Sequence, residues 1–127
     1  MKVLIIDDDD VNNFLCKKIM ELCDFSNDIH ACKSAQEGID YLKSIKDEQP
    51  DQYPDLLFLD INMPISNGWD FLDTYNNWTA DTTKDTLKIF MLSSSVYEAD
   101  IARAEEHPLV TKYITKPISK ETLMLLK

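Results

Sequence analysis

Two glycines and five prolines in 127 residues leave no room for a low-complexity or disordered chain. Cysteine is sparse too. Cys16, Cys23 and Cys32 are odd in number and have no paired spacing, which speaks against a disulfide framework and for free thiols in a reducing compartment. Cys16 and Cys23 stand seven apart in a helical pattern, so both are expected to pack on one face as small hydrophobes. Positive charge is in short supply: 13 Lys and Arg against 23 Asp and Glu give a net charge of -10. Such a surface repels phosphate backbones and anionic headgroups, so no direct nucleic-acid or membrane contact is expected. No apolar run is long enough to span a bilayer, and the opening run Val3 to Ile6 is too short for a signal peptide and stops at the acid of Asp7. The expected location is cytoplasmic.

What the chain does have is 44% hydrophobic residues, enough for an ordinary core, in a length that suits one domain over residues 1–127. Val3 to Ile6 is a continuous apolar, β-branched run, the mark of a strand buried on both faces. Val11 to Leu22 then turns helical, with Val11, Leu15, Ile19 and Leu22 recurring at three- and four-residue spacing. A strand around Asp28 to Cys32 and a helix from Ser34, a plausible N-cap, to Ile45 follow. Lys46 to Pro54 reads as a loop. The alternation then repeats: strand Leu56 to Leu59, a turn from Pro64 to Gly68, helix Trp69 to Trp78, a polar loop Thr79 to Thr86, strand Leu87 to Leu92, helix Tyr97 to Glu106, strand Val110 to Thr115, and a short helix capped by Ser119 and running through Leu126. Five short buried strands, each followed by a helix, require right-handed crossovers and a parallel sheet covered on both faces. The predicted architecture is α/β: a flavodoxin-like doubly wound five-stranded parallel sheet, order 2-1-3-4-5, with five helices. Ligands in such sheets bind at the carboxyl ends of the strands, at the switch point.

That rule gathers chemistry into one place. The first strand ends in Asp7 and Asp8, the third in Asp60, the fourth in Ser93 and the fifth before Lys116. Each has an ordinary structural use alone, as a cap, turn or loop residue; the combination at matching strand ends is what demands a function. Crowded carboxylates repel unless a cation joins them. A small cluster of hard oxygens suits Mg²⁺, held by Asp7, Asp8 and Asp60 with the backbone carbonyl of Asn62 as a further ligand. Lys116 supplies a point charge for a phosphate oxygen and Ser93 a hydroxyl donor. These are the parts for moving a phosphoryl group onto a carboxylate, and Asp60, ending the central strand, is the expected acceptor. Asp9 and Asp10 are expected to begin the first helix, where acid suits the positive end of the dipole.

Val3-Leu4-Ile5-Ile6-Asp7-Asp8, Leu59-Asp60-Ile61-Asn62-Met63-Pro64 with Gly68, Met91-Leu92-Ser93-Ser94 and Tyr113-Ile114-Thr115-Lys116-Pro117 together resemble the response-regulator receiver domain of two-component signalling. The resemblance covers essentially the whole chain. It implies that Asp60 is the phosphoacceptor, that Asp7 and Asp8 are the acidic metal pair, and that Ser93 is the switch hydroxyl. Lys116 would be the phosphate-binding lysine, and Tyr113 the aromatic whose rotamer follows phosphorylation. The switch position carries Ser where Thr is commoner, and Asn62 and Ser95 occupy positions that tune dephosphorylation in this family. A reversible switch, with self-catalysed phosphotransfer and slow autodephosphorylation, is expected rather than a turnover enzyme. A histidine kinase or phosphotransfer protein would stand upstream, docking on the first helix around Val11, Asn12 and Leu15 and on the loop after the fifth strand. An unknown protein would stand downstream, reached by a stand-alone receiver or by a longer protein of which this is a piece. Two other readings stay open. A haloacid-dehalogenase-like phosphatase would use Asp8 and Asp10, but the chain lacks room for the usual cap, has no acidic pair after Lys116, and leaves Asp60 unexplained. A pure interaction module would leave the acidic site without a purpose.

Overall fold

The computed structural model describes residues 1–79, 87–94 and 97–126. The elements are β1 (Lys2–Ile6), α1 (Asp10–Leu22), β2 (Asp28–Cys32), α2 (Ala35–Glu48), a 3₁₀ turn (Pro50–Gln52), β3 (Leu56–Leu59), α3 (Gly68–Thr79), β4 (Lys88–Ser93), α4 (Glu98–Glu106), β5 (Val110–Thr115) and α5 (Lys120–Leu126). All four strand pairings are parallel, in the order β2-β1-β3-β4-β5, as the alternation predicts.

The strands are apolar throughout because each packs on both faces, and period-two alternation divides them between two cores. Leu4, Ile6, Leu57, Leu59, Ile89 and Met91 face α2, α3 and α4, meeting Leu42, Phe71, Leu72, Tyr75 and Ala104. Val3, Ile5, Leu56, Phe58, Phe90 and Leu92 face α1 and α5, meeting Cys16, Met20 and Leu123. Phe58 anchors that second core, edge-on to Phe25 at 6.5 Å and stacked on Phe90 at 5.5 Å between ring centroids. The edge strand β5 breaks register between Ile89 and Phe90, where Ile89 pairs with Val110 but Phe90 with Lys112; the irregularity leaves Thr111 unpaired in the ladder.

Helices α1 and α2 start on the residues expected there. Asp9 Oδ1 accepts from the Val11 and Asn12 backbone N–H groups, and Ser34 Oγ accepts from that of Glu37. Asn67 and Asp70 exchange side-chain-to-backbone hydrogen bonds at the start of α3, a reciprocal cap.

Several expectations need correcting. On α1 the apolar stripe faces outward: Val11 is 66%, Leu15 55% and Leu22 79% exposed, with only Ile19 packing on the core. The buried face is Asn13, Cys16 and Met20. Spacing found the helix but ranked its faces by hydropathy, and the inward face includes an asparagine. Cys16 is buried, whereas Cys23, at the C-cap of α1, is half-buried. Helix α2 continues to Glu48 instead of ending at Ile45, because Lys46-Asp47-Glu48 are tolerable helix residues and Pro50 is the first that cannot continue it. Lys46 also lays its ammonium over the rings of Tyr53 and Trp78, each at 5.5 Å, tying the extra turn to the packed aromatic group. The rest of the predicted polar loop, 80–86, and Ser95 lie outside the described residues.

Candidate functional site

The ladder continues beyond the strand ends and sets the candidate residues side by side. The backbone N–H of Asp7 donates to the Cys32 carbonyl at 3.0 Å, that of Asp60 to the Ile6 carbonyl at 2.9 Å, and that of Lys116 to the Ser93 carbonyl at 2.8 Å. Asp7, Asp60 and Lys116 are therefore each fixed by backbone pairing to a neighbouring strand, at the carboxyl edge of the sheet. Gly68 completes the frame: its N–H donates to the Ile61 carbonyl at 2.8 Å, and a Cβ at this position would sit 2.5 Å from the Asp60 carbonyl oxygen. The turn between β3 and α3 closes this tightly only because residue 68 has no side chain. The same turn holds Ile65 at φ 71°, a left-handed conformation unusual for a β-branched residue, with the side chain fully exposed.

Asp7, Asp8 and Asp60 each present a carboxylate oxygen, and these oxygens lie within 4.8 Å of one another; among the described residues no other group of acidic, thiol or imidazole side chains is clustered closely enough to hold an ion. Asp7 and Asp60 are buried and Asp8 is exposed. They open onto a cleft of about 410 Å³ that Asp9, Asn62, Ser94 and Lys116 also line. Lys116 Nζ bridges the two buried acids, 2.7 Å from Asp7 Oδ2 and 3.4 Å from Asp60 Oδ1. Asp7 is held further by the Asn12 side-chain amide, which donates to the same Oδ2 at 2.7 Å, and by the Asp9 N–H, which donates to Oδ1 at 2.9 Å. The Asn13 amide fixes the Asp7 backbone carbonyl at 2.9 Å.

Electrostatics separate Asp60 from its neighbours. Burial, followed by the charge of Asp7, pushes its carboxyl up to about 6 from the ordinary 3.8, against the opposing pull of Lys116 and a backbone hydrogen bond from Asn62. For Lys116, burial alone would lower the pKa, but the hydrogen bond to Asp7 and the charges of Asp60 and Asp7 raise it. Two anions and one ammonium in a buried setting leave an excess negative charge. That excess, with hard oxygen donors and an open cleft, fits a small divalent cation such as Mg²⁺.

Ser93 ends β4 and is fully buried, while the exposed Ser94 lines the cleft. Asn62 is exposed at the cleft wall. Tyr113, opposite Met91 in the ladder, is 9% exposed and belongs to the core with Trp69, Ala104 and Val110. Any rotation of Tyr113 therefore starts from a ring already packed inside, not from an outward one. Asp10 leaves the cluster, as expected for a first-turn acid, and pairs with Lys33 at 2.9 Å. Asn12, Asn13 and Gly68 are the residues whose structural part was missed. The only sequence signal for the two asparagines is a pair of polar amides just after the acidic run, where helix formers would serve α1 better.

The protein is thus of the doubly wound α/β class, with an acidic, lysine-bridged site at the carboxyl edge of its parallel sheet. The chain belongs to the response regulator receiver domain family of two-component systems: the sequence model of that family matches residues 3–126. Among solved structures it is similar to a two-component response regulator from Cytophaga hutchinsonii, 32% identical with a TM-score of 0.88, covering 98% of this chain and 92% of that one. A receiver protein from Dyadobacter fermentans is 28% identical with a TM-score of 0.84, covering 99% and 94%. Among curated proteins, the sensory transduction protein LytT of Oceanobacillus iheyensis is 35% identical over 83% of this chain and 39% of its own length. The chain spans half or less of the length of the curated relatives it matches. Receiver domains of this family are phosphoacceptor switches that bind Mg²⁺ in an acidic pocket and work with histidine kinases or phosphotransfer proteins. Among the described residues no helix is long and apolar enough to cross a membrane.

Proposed function

We propose that this chain, one receiver domain over residues 1–127, accepts a phosphoryl group on Asp60 and uses it to switch partner binding. The observation that carries the reading is the pair of buried carboxylates, Asp7 and Asp60, bridged by Lys116 at the mouth of an open cleft. Asp7, Asp8 and Asp60, with the Asn62 backbone carbonyl, would hold Mg²⁺, which when bound supplies positive charge to the oxygens of the transferring phosphoryl group. A carboxylate oxygen of Asp60 attacks phosphorus; the P–N bond of a phosphohistidine breaks and its electron pair returns to the imidazole. Lys116, already between Asp7 and Asp60, neutralises charge on the phosphoryl oxygens, and the Ser93 hydroxyl donates to one of them. Drawing Ser93 toward the phosphate shifts the end of β4. The Tyr113 ring, packed against α4, carries that shift to the face formed by α4, β5 and α5, and the two-state change is read by a downstream protein.

The upstream partner, a histidine kinase or phosphotransfer protein, docks on α1 and the Pro117–Ile118 loop. A groove of about 320 Å³ between them, lined among others by Leu15, Ile19, Leu22 and Ile118, supports this, as does the outward apolar stripe of α1. The haloacid-dehalogenase-like alternative loses its second aspartate, since Asp10 is paired with Lys33.

The test is intact-mass measurement after incubation with Mg²⁺ and acetyl phosphate. A single phosphoryl adduct on wild type, absent from Asp60→Asn, is the expected result. No adduct on wild type, or one that survives in Asp60→Asn, would sink the assignment.

A further inference from the structure

We infer that Asn12 is a positioning residue for the acidic site: its side-chain amide holds Asp7 in the orientation that a bound cation requires. The inference rests on reading Asp7, Asp8 and Asp60 as the Mg²⁺ site. Asn12 sits in the first turn of α1, where its backbone N–H is taken by the Asp9 cap at 3.4 Å. The helix therefore has no need of its side chain, and an asparagine is a poorer helix former than many alternatives. The side chain is instead directed at Asp7, donating to Oδ2 at 2.7 Å, the same oxygen that Lys116 contacts at 2.7 Å.

Two donors of different kinds on one oxygen do different work. Lys116 also reaches Asp60, so its ammonium is shared within the site and is the group suited to meet a phosphoryl oxygen. Asn12 is neutral. It fixes the carboxylate without competing electrostatically with a cation, which a second lysine would do. Asp7 is only 1% exposed, so water cannot readily replace a lost donor. Without the amide, Oδ2 depends on Lys116 alone, and the orientation of Asp7 follows wherever that ammonium goes. Partners that orient a metal-binding carboxylate in this way typically contribute about 10–100-fold to affinity.

Asn12 also lines the α1 groove with Leu15 and Ile19. One residue thus touches both the docking surface and a metal-binding carboxylate. A defect in Asn12 variants cannot be assigned to docking unless metal binding is measured separately.

The experiment measures the Mg²⁺ dissociation constant by calorimetry, and the rate of acetyl phosphate labelling as a function of Mg²⁺. The proteins are wild type, Asn12→Leu, Asn12→Ser, and Lys17→Gln as an exposed control on the same helix. Both Asn12 variants are expected to bind Mg²⁺ about tenfold more weakly. Their labelling rates should return to within about twofold of wild type at saturating Mg²⁺, a split that a merely unstable helix would not produce. Lys17→Gln should match wild type in both. The serine variant guards against misfolding by the leucine, since serine fits the first turn but cannot reach Asp7. Wild-type Mg²⁺ affinity in both Asn12 variants would overturn this inference alone. A wild-type protein that binds no Mg²⁺, or binds it equally well as Asp60→Asn, would overturn the metal-site reading and this inference with it.

Discussion

In metal-free protein, Asp60 should destabilise the fold at neutral pH, and Asp60→Asn should be more stable than wild type. Asp60 is only 5% exposed, and its carboxyl is pushed from 3.8 up to about 6, first by burial and then by the charge of Asp7. The folded state therefore binds this proton more tightly than the unfolded chain does. Stability from this group is present below the unfolded pKa, declines as pH rises from about 4, and is fully lost above the folded value of about 6. A shift of this size corresponds to about 3 kcal/mol of penalty at pH 7.5. Asparagine is nearly isosteric and uncharged, so it should recover much of that penalty and raise the thermal midpoint by several degrees for a chain of this length. The assay is thermal unfolding of wild type and Asp60→Asn with a chelator, at pH 4 and pH 7.5. The difference should be large at pH 7.5 and close to zero at pH 4. Added Mg²⁺ should then stabilise wild type selectively, by about 1.4 kcal/mol at ten times its dissociation constant, and narrow the gap. An Asp60→Asn variant no more stable than wild type at pH 7.5, or a difference independent of pH, would refute the account of a desolvated carboxylate beside a second acid.

Two further outcomes follow from named positions. Ile65 is held at φ 71° with its side chain fully in solvent, so Ile65→Asn removes left-handed strain and loses no packing; it should stabilise by about 1 kcal/mol in denaturant titration, and a destabilised variant would show that the turn is held by something other than backbone geometry. Burial pushes the Cys16 and Cys32 thiols up to about 11 and about 12, whereas Cys23 is half-buried, so native protein should react with a thiol reagent at Cys23 first and at the other two only on unfolding; fast labelling of Cys16 or Cys32, read by peptide mass, would contradict the packing described.

The fold was largely legible in the sequence because its strands are buried on both faces. Runs such as Val3 to Ile6 and Leu56 to Leu59 carry no periodicity to misread, and each is bounded by acid, proline or polar residues. Helix faces were harder. On α1 hydropathy pointed to Val11, Leu15 and Leu22, but those residues are exposed, and the core side contains Asn13, whose amide is needed by the Asp7 backbone. A polar residue that satisfies a strand end cannot be distinguished, from sequence alone, from one that faces water. The end of α2 failed for a related reason: Lys46 is anchored by aromatic rings that come from elsewhere in the chain.

The candidate site divides along the same line. Groups that must sit at strand ends, Asp7, Asp8, Asp60, Ser93 and Lys116, could be placed by topology, since a parallel sheet brings all its carboxyl ends to one edge. Groups that act by supporting them could not. Asn12 reaches Asp7 across five residues of a cap and a helix turn, and Gly68 matters only because the Asp60 carbonyl passes 2.5 Å from where its Cβ would be. Both effects depend on sub-ångström placement, which motif spacing does not encode. Topology decides which charged groups meet; the neutral residues around them decide how firmly they are held. In this receiver domain the charged group with the least freedom to vary is Lys116, which touches both buried acids.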